Sequence, residues 1–252
     1  MDLLLDGLER DGPALLALDE ALVRAGPGRP ILRPWVNPPA VVVGRYQDVG
    51  REVALQACAE GGVPVLRRAS GGGTVYHDLG TLNVALVLPG LRADAVDHLA
   101  GLLLRVLHEL GVPVERRSRG LFVGPVKLAG FACMQTRPGT LAHASVLVAT
   151  DPAAVGRYLA PASADPGPLD SHRVQVTSLR HLGVDVTVPE LTAILPTRVD
   201  GGVTARTPTP AEWAAHEQLL TSRYRDTGWH LTGTRSSPTG PTKEEAWTTA
   251  CA

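Results

Sequence analysis

The sequence predicts a mixed α+β fold, and three observations predict it. Short β-branched runs alternate with segments that are apolar at helical spacing, so neither an all-helical nor an all-strand period fits the whole chain. Gly and Pro punctuate the junctions in a hairpin-like manner. Finally, 252 residues at 44% hydrophobic and 19% charged can bury one large core or two unequal ones.

The first element is a helix over Pro13 to Arg24, where Leu15, Leu18 and Leu22 recur at helical spacing and Pro13 suits the first turn. From Pro30 the texture changes to ILRPWV, AVVVG, VPVLRR and TLNVALVLP, whose length and composition predict strands, several buried on both faces. Asp48 is placed to cap a helix over Val53 to Ala59, and Asp94 opens one to Leu110 that Gly111 ends. VPVER, LFVGPVKLAGFACMQ and ASVLVA predict a second group of strands, followed by a helix opened by Asp151-Pro152. Pro161 to Pro168 reads as a loop. A last helix starts near Thr209 and carries Trp213, Leu219 and Leu220. The expected organisation is one catalytic domain over residues 1–232 and an unstructured Ser/Thr/Gly/Pro-rich tail over 233–252.

Composition excludes several functions. The net charge of -1 leaves no basic footprint for nucleic acid or an anionic membrane. No run approaches the roughly 20 apolar residues that span a bilayer, the acidic N-terminus is unlike a signal peptide, and a cytoplasmic location is expected. Cys58, Cys133 and Cys251 have neither zinc nor disulfide spacing. Of 24 basic residues only Lys127 and Lys243 are lysines, and neither follows the glycine loop of a P-loop. Any chemistry that needs an amine therefore falls to one of two residues.

The segment Arg67 to Asn83, RRASGGGTVYHDLGTLN, carries the most chemistry. Three glycines let the backbone approach a bulky ligand and present N–H groups to it, and Arg68 beside them offers a forked donor for phosphate or carboxylate. On spacing alone the triplet is either such an anion loop or a flexible turn. The segment resembles the lipoate-protein ligases and octanoyltransferases of the biotin/lipoate ligase superfamily, whose pattern RRxSGGGxVxHDxGxxN it matches at every specified position. The resemblance extends to Leu18–Leu22, to Asn37–Arg45, to Lys127-Leu128-Ala129-Gly130-Phe131-Ala132 as the family's Lys-x-x-Gly-x-Ala strand, and to Val176-Thr177-Ser178-Leu179.

The resemblance implies a class II biotin/lipoate ligase-like catalytic domain, with no room for the C-terminal accessory domain of the longer bacterial ligases. It implies that ATP, with Mg²⁺, activates lipoate or octanoate as an acyl-adenylate. The acyl group then passes to a lysine on a lipoyl carrier domain, such as a 2-oxoacid dehydrogenase E2 or the glycine cleavage H protein. By the same resemblance Arg68, Ser70, Gly71, Gly72, Gly73, Thr74, Val75, Tyr76, His77, Asp78 and Asn83 contact the adenylate. Lys127 bridges the acyl carboxylate and the α-phosphate. The acyl pocket takes Arg45, Gly72, Gly130 and His143 besides Lys127. His143 is either a substrate-side residue or a structural hydrogen-bonder.

Two departures from the family stand out. Arg119-Gly120 replaces an Asn-Asp pair, removing a carboxylate that could position Mg²⁺ or nucleotide, and His143-Ala144 replaces His-Gly. Two further readings follow. A cysteine-dependent octanoyltransferase would use a thiol instead of ATP, and Cys133, six residues after Lys127, shares its face if strand alternation is unbroken. A noncatalytic or specialised paralogue would bind the acyl-adenylate without this turnover.

Overall fold

The computed structural model describes residues 1–8, 11–117 and 120–234; Arg119 and the 235–252 stretch, with Lys243 and Cys251, lie outside the described residues. Strands β1 (Asp2–Leu4), β2 (Ile31–Trp35), β3 (Ala40–Val43), β4 (Val65–Arg67), β5 (Val75–His77) and β6 (Thr81–Pro89) make up the first half with helices α1 (Gly12–Ala25), α2 (Val49–Glu52) and α3 (Leu55–Glu60). The second half holds α4 (Ala95–Glu109), β7 (Glu115–Arg117), β8 (Gly120–Val123), β9 (Val126–Gln135), β10 (Gly139–Leu147), α5 (Pro152–Tyr158), α6 (Val188–Thr197), β11 (Thr204–Arg206), α7 (Pro210–Leu219) and α8 (Thr227–Thr232). The mixed α+β expectation holds.

The strands form an eight-stranded sheet, ordered β11-β1-β2-β6-β10-β9-β8-β7, and a three-stranded sheet, β4-β3-β5. Alternation along β6 explains the layering. Leu82, Val84, Leu86 and Leu88 point into one core with the apolar stripe of α4 and with Leu191 and Leu195 of α6. Ala85 and Val87 point the other way, into a core with Leu15, Leu18 and Leu22 of α1 and Val42 of the small sheet. Helix α1 has Pro13 in its first turn and ends at Gly26 in the left-handed conformation, φ 76°. The small sheet thus lies on the α1 side of the large one, and the cleft between them is where the glycine segment lies.

Several elements depart from expectation. Asp48 does cap a helix, through Gly50 and Arg51 N–H, but that helix is the single turn α2. Val53 is extended, φ -121°, and bridges Leu159, so the expected Val53–Ala59 helix begins instead at Leu55 as α3. In VPVER only Glu115–Arg117 is strand, because Val112 and Val114 turn into the core. The sequence reading missed β1 and β11, three-residue strands, and α6, whose Thr187–Glu190 capping box is a legible start signal. The helix expected from Thr209 is not the last: after α7 a π-helical turn, Leu220–Tyr224, leads into α8, which Gly233 closes.

Candidate active site

Two adjacent arginines give the glycine segment its shape. Arg67 is 1% exposed and donates to the carbonyls of Gly44 and Gln47 on one side and of Trp229 and Leu231 on the other, tying α8 to the turn that follows β3. Arg68 is turned the other way. Its Nε donates to Ser70 Oγ (3.0 Å), one terminal nitrogen to Val42 O (3.1 Å), and the other to Gly71 O (2.7 Å) and Gly73 O (2.8 Å). Burial, then the neighbouring Arg67, holds its pKa down at about 10, still charged at neutral pH. A guanidinium expected to fork onto an anion thus works mainly as the template over which the loop bends. The glycines are needed for space: a Cβ at Gly44 would lie 2.0 Å from Gly72 O, and Gly72 itself has φ 88°.

Two histidines back the loop. His143 Nε2 lies 2.6 Å from Ser70 Oγ, and His77 bridges Asn37 Nδ2 (3.3 Å) and Ser145 Oγ (2.9 Å). Ser145 Oγ in turn donates to Asn83 Oδ1. Burial, reinforced by the Arg68 charge, pushes both imidazoles down to about 3, so both are neutral at physiological pH. His143 hydrogen-bonds Ser70, and it also lines the cavity.

Opposite the loop stands Lys127 on β9. The pairing of β8 with β9 slips at Leu121/Phe122, where Leu121 pairs Ala129 and Phe122 pairs Lys127, leaving Leu128 as an extra residue. The bulge reverses the alternation, and Lys127 joins Gly130 and Ala132 on the cavity side. Among the described residues the Lys127 ammonium has no hydrogen-bond or ion-pair partner. Its pKa is lowered, by burial first and by the Arg173 charge second.

Arg173 belongs to a strap, residues 161–178, that crosses the cleft. Its backbone is stitched to β9 by Lys127 N–H to Gln175 O (2.8 Å) and Thr177 N–H to Lys127 O (2.9 Å). Glu52, 2% exposed, fixes the strap from below by accepting from Ser171 N–H (2.6 Å) and from Arg173 (2.6 Å). Ser171 Oγ accepts from Thr74 N–H (2.8 Å) and from Gln47 Nε2 (3.0 Å). Sequence reasoning missed Glu52, Gln47, Ser171 and Arg173. Their one signal was the Val176-Thr177 match, which sits where the strap meets Lys127.

Together these elements enclose a cavity of about 960 Å³. Of the expected contact residues, Arg68, Gly71, Gly72, Gly73, Thr74, Val75, Tyr76, His77, Lys127, Gly130 and His143 line it. Leu16, Trp35 and Val42 supply an apolar part. Four expected contacts stand behind the wall instead. Ser70 is taken by Arg68 and His143; Asp78 accepts from Gly80 N–H, Thr81 and Thr150 to build the β5–β6 turn; Asn83 supports Ser145; and Arg45 stacks on Trp229 at 4.4 Å and donates to Gly233 O.

The condition under which Cys133 would share the face of Lys127, unbroken alternation, does not hold. Because of the Leu128 bulge, Cys133 falls on the opposite face from Lys127, paired with Ala142 and outside the cavity lining. Burial raises the thiols of Cys133 and Cys58, the latter to about 11, which is the reverse of nucleophile activation. The donor set does not suit a protein-held Mg²⁺ either. Asp170, the one carboxylate lining the cavity among the described residues, is clamped by Arg51, and position 120 carries no side chain. No group of three or more His, Cys, Asp or Glu is placed to hold a metal among the described residues, and no helix there is long and apolar enough to cross a membrane.

Residues 11–199 match the family model described as the lipoyl protein ligase A/B catalytic domain. The chain belongs to this family. An Aeropyrum pernix protein described as a candidate lipoate-protein ligase A is 42% identical over 153 residues, 58% of this chain and 57% of that one. The mitochondrial lipoyl amidotransferase of Homo sapiens is 37% identical over 128 residues, 49% of this chain and 34% of that one. The chain thus spans from a third to somewhat over half of these relatives' own length. A Thermoplasma acidophilum protein solved with bound lipoic acid superposes with TM-score 0.79 at 26% identity, over 91% of this chain and 98% of that one. Similar values, TM-score 0.79 and 26% identity over 94% and 98%, relate it to the same organism's bipartite lipoate protein ligase, described with its E2 lipoyl domain. A lipoate-protein ligase A bound with ATP gives TM-score 0.78 at 26% identity over 91% and 98%. The lipoyl ligase family thus accounts for the class II ligase-like fold.

Proposed function

We propose that this chain uses ATP to activate lipoate or octanoate as an acyl-adenylate and transfers the acyl group to the ε-amine of a lysine on a lipoyl carrier domain. The observation that carries the reading is Lys127, an ammonium with no partner among the described residues, facing the glycine loop across a cavity with an apolar end. The relatives solved with lipoic acid, with ATP and in a system with an E2 lipoyl domain support lipoate, ATP and a lipoyl domain as its reactants.

In the first step a carboxylate oxygen bonds to the α-phosphorus and pyrophosphate leaves. In the second the carrier amine bonds to the acyl carbon, AMP leaves, and the nitrogen's proton passes to solvent. Both transition states concentrate negative charge on oxygens between acid and phosphate. Lys127, whose charge nothing in the described protein neutralises, meets that charge, and removing such a donor costs about 3–4 kcal/mol, or roughly 10²–10³ in rate. The Gly71–Gly73 loop that lines the cavity would receive the phosphate, and the apolar side chains of Leu16, Trp35 and Val42 take the hydrocarbon. The neutral histidines hold Ser70 and Ser145, and proton transfer is not assigned to them. Magnesium fits this scheme as a counterion carried by the nucleotide's phosphates.

The test follows the mass of a purified lipoyl domain incubated with the chain, lipoate or octanoate, ATP and Mg²⁺. A gain of one acyl group that disappears without ATP is expected. The similarity to the human amidotransferase favours one second reading, transfer from an already acylated protein without ATP. With free acid and ATP replaced by an acylated carrier protein as donor, acylation of the lipoyl domain without nucleotide would select it, and binding without any mass gain in either mixture would select a noncatalytic acyl-adenylate binder.

A further inference from the structure

Gly120 and Gly130 are register partners across β8 and β9, and the side chain of Lys127 folds back over both. A Cβ at Gly120 would lie 2.7 Å from Lys127 Cε, 2.8 Å from Ala129 O and 2.9 Å from Phe122 Cε2. A Cβ at Gly130 would meet only Lys127 within 4 Å, at 3.4 Å from both Cε and Nζ. The Leu128 bulge immediately between them turns Lys127 to this side. We infer that the two glycines form a seat that fixes the Lys127 side chain, making Gly120 and Gly130 positioning residues for the ammonium.

Three features of the site support a seat over incidental space. First, nothing polar orients the ammonium: among the described residues it has no hydrogen-bond or ion-pair partner, so only steric contact can restrict a flexible four-carbon stem. Second, the stem occupies the volume that a side chain at position 120 would fill, which couples the missing carboxylate of Arg119-Gly120 to the lysine's conformation. Third, the charged and ionisable histidine, arginine and carboxylate groups lining the cavity besides it are Arg68, His77, Arg117, His143, His172, Arg173 and Asp170, and the one carboxylate among them, Asp170, is held by Arg51. The seat keeps the amine against low-dielectric walls, consistent with its lowered pKa.

The inference rests on the ligase reading for its consequence in catalysis, but its direct readout does not. The chain has two lysines, so trace acetylation of the full chain across pH, quantified by mass spectrometry, reports Lys127 against Lys243 as an internal reference. Wild-type Lys127 is expected to titrate below Lys243. Gly120→Ala and Gly130→Val should move its midpoint up toward that of an ordinary lysine, because a displaced amine reaches solvent. In ATP-dependent acylation the same variants should lower kcat at least tenfold while KM for lipoate changes less than threefold. Gly120→Ala also presses on a backbone oxygen, so Gly130→Val is the variant that decides if the first fails to fold. An unchanged Lys127 midpoint in folded Gly130→Val overturns the seat, whatever happens to activity. A shifted midpoint in a chain whose wild type acylates nothing would uphold the seat and overturn the ligase reading instead.

Discussion

Arg68→Met removes the template of the glycine loop while keeping an unbranched side chain in the core. Gly71 O and Gly73 O lose donors at 2.7 and 2.8 Å, and Ser70 Oγ and Val42 O lose one each. A buried acceptor left without its donor costs about 1–3 kcal/mol. Two of the four adjoin the cavity and can recruit water, and the variant no longer buries a guanidinium, a relief whose scale is visible in the pKa of about 10. The net is roughly 2–4 kcal/mol of stability. Urea unfolding should show a lower midpoint with an unchanged slope. Titration with a non-hydrolysable acyl-adenylate analogue, under conditions where the variant is folded, should show affinity reduced at least tenfold because the loop N–H groups are no longer aligned. Arg68→Lys should restore little of either, since a point charge cannot span four acceptors. Wild-type stability together with wild-type affinity in Arg68→Met would refute the template role.

The remaining predictions concern the strap, the histidines and the thiol. Glu52→Gln weakens the hold on Ser171 and Arg173, and limited proteolysis should cut within 161–170 about tenfold faster than in wild type; equal rates would count against the latch. His77 and His143 have folded pKa values depressed to about 3 against an ordinary 6.5, so below pH 6.5 the unfolded chain binds protons that the folded one does not. Stability is therefore flat above pH 7 and falls as pH drops, by about 2 kcal/mol per histidine at pH 5, and substitution of either by a neutral isostere should flatten that slope in urea titrations. Cys133→Ala should leave ATP-dependent acylation within twofold of wild type, since the thiol lies on the far face of β9. A complete loss would return the cysteine to the chemistry.

Much of this site was legible in the sequence because local chemistry specifies it. The arginine pair, three glycines and His77 lie within one segment, and the scarcity of lysine singled out Lys127. What was hidden depends on distant partners. Alternation predicted Cys133 beside Lys127, and one extra residue at Leu128, set by the pairing with β8, reverses that prediction. The functions of Ser70, Asp78 and Asn83 behind the wall follow from contacts 62 to 73 positions away with Ser145, Thr150 and His143. Nothing local marks Glu52, which is buried by the strap more than a hundred residues on. Strands as short as Asp2–Leu4 and Thr204–Arg206 carry too few residues for a period to show.

The central claim is that Lys127 activates an acyl group with ATP. The direct measurement is lipoate-dependent pyrophosphate release by wild type and by Lys127→Ala, with a thermal melt confirming that the variant is folded. The account predicts release in wild type and a loss of at least about 10²-fold in the variant. Undiminished release by folded Lys127→Ala would contradict it.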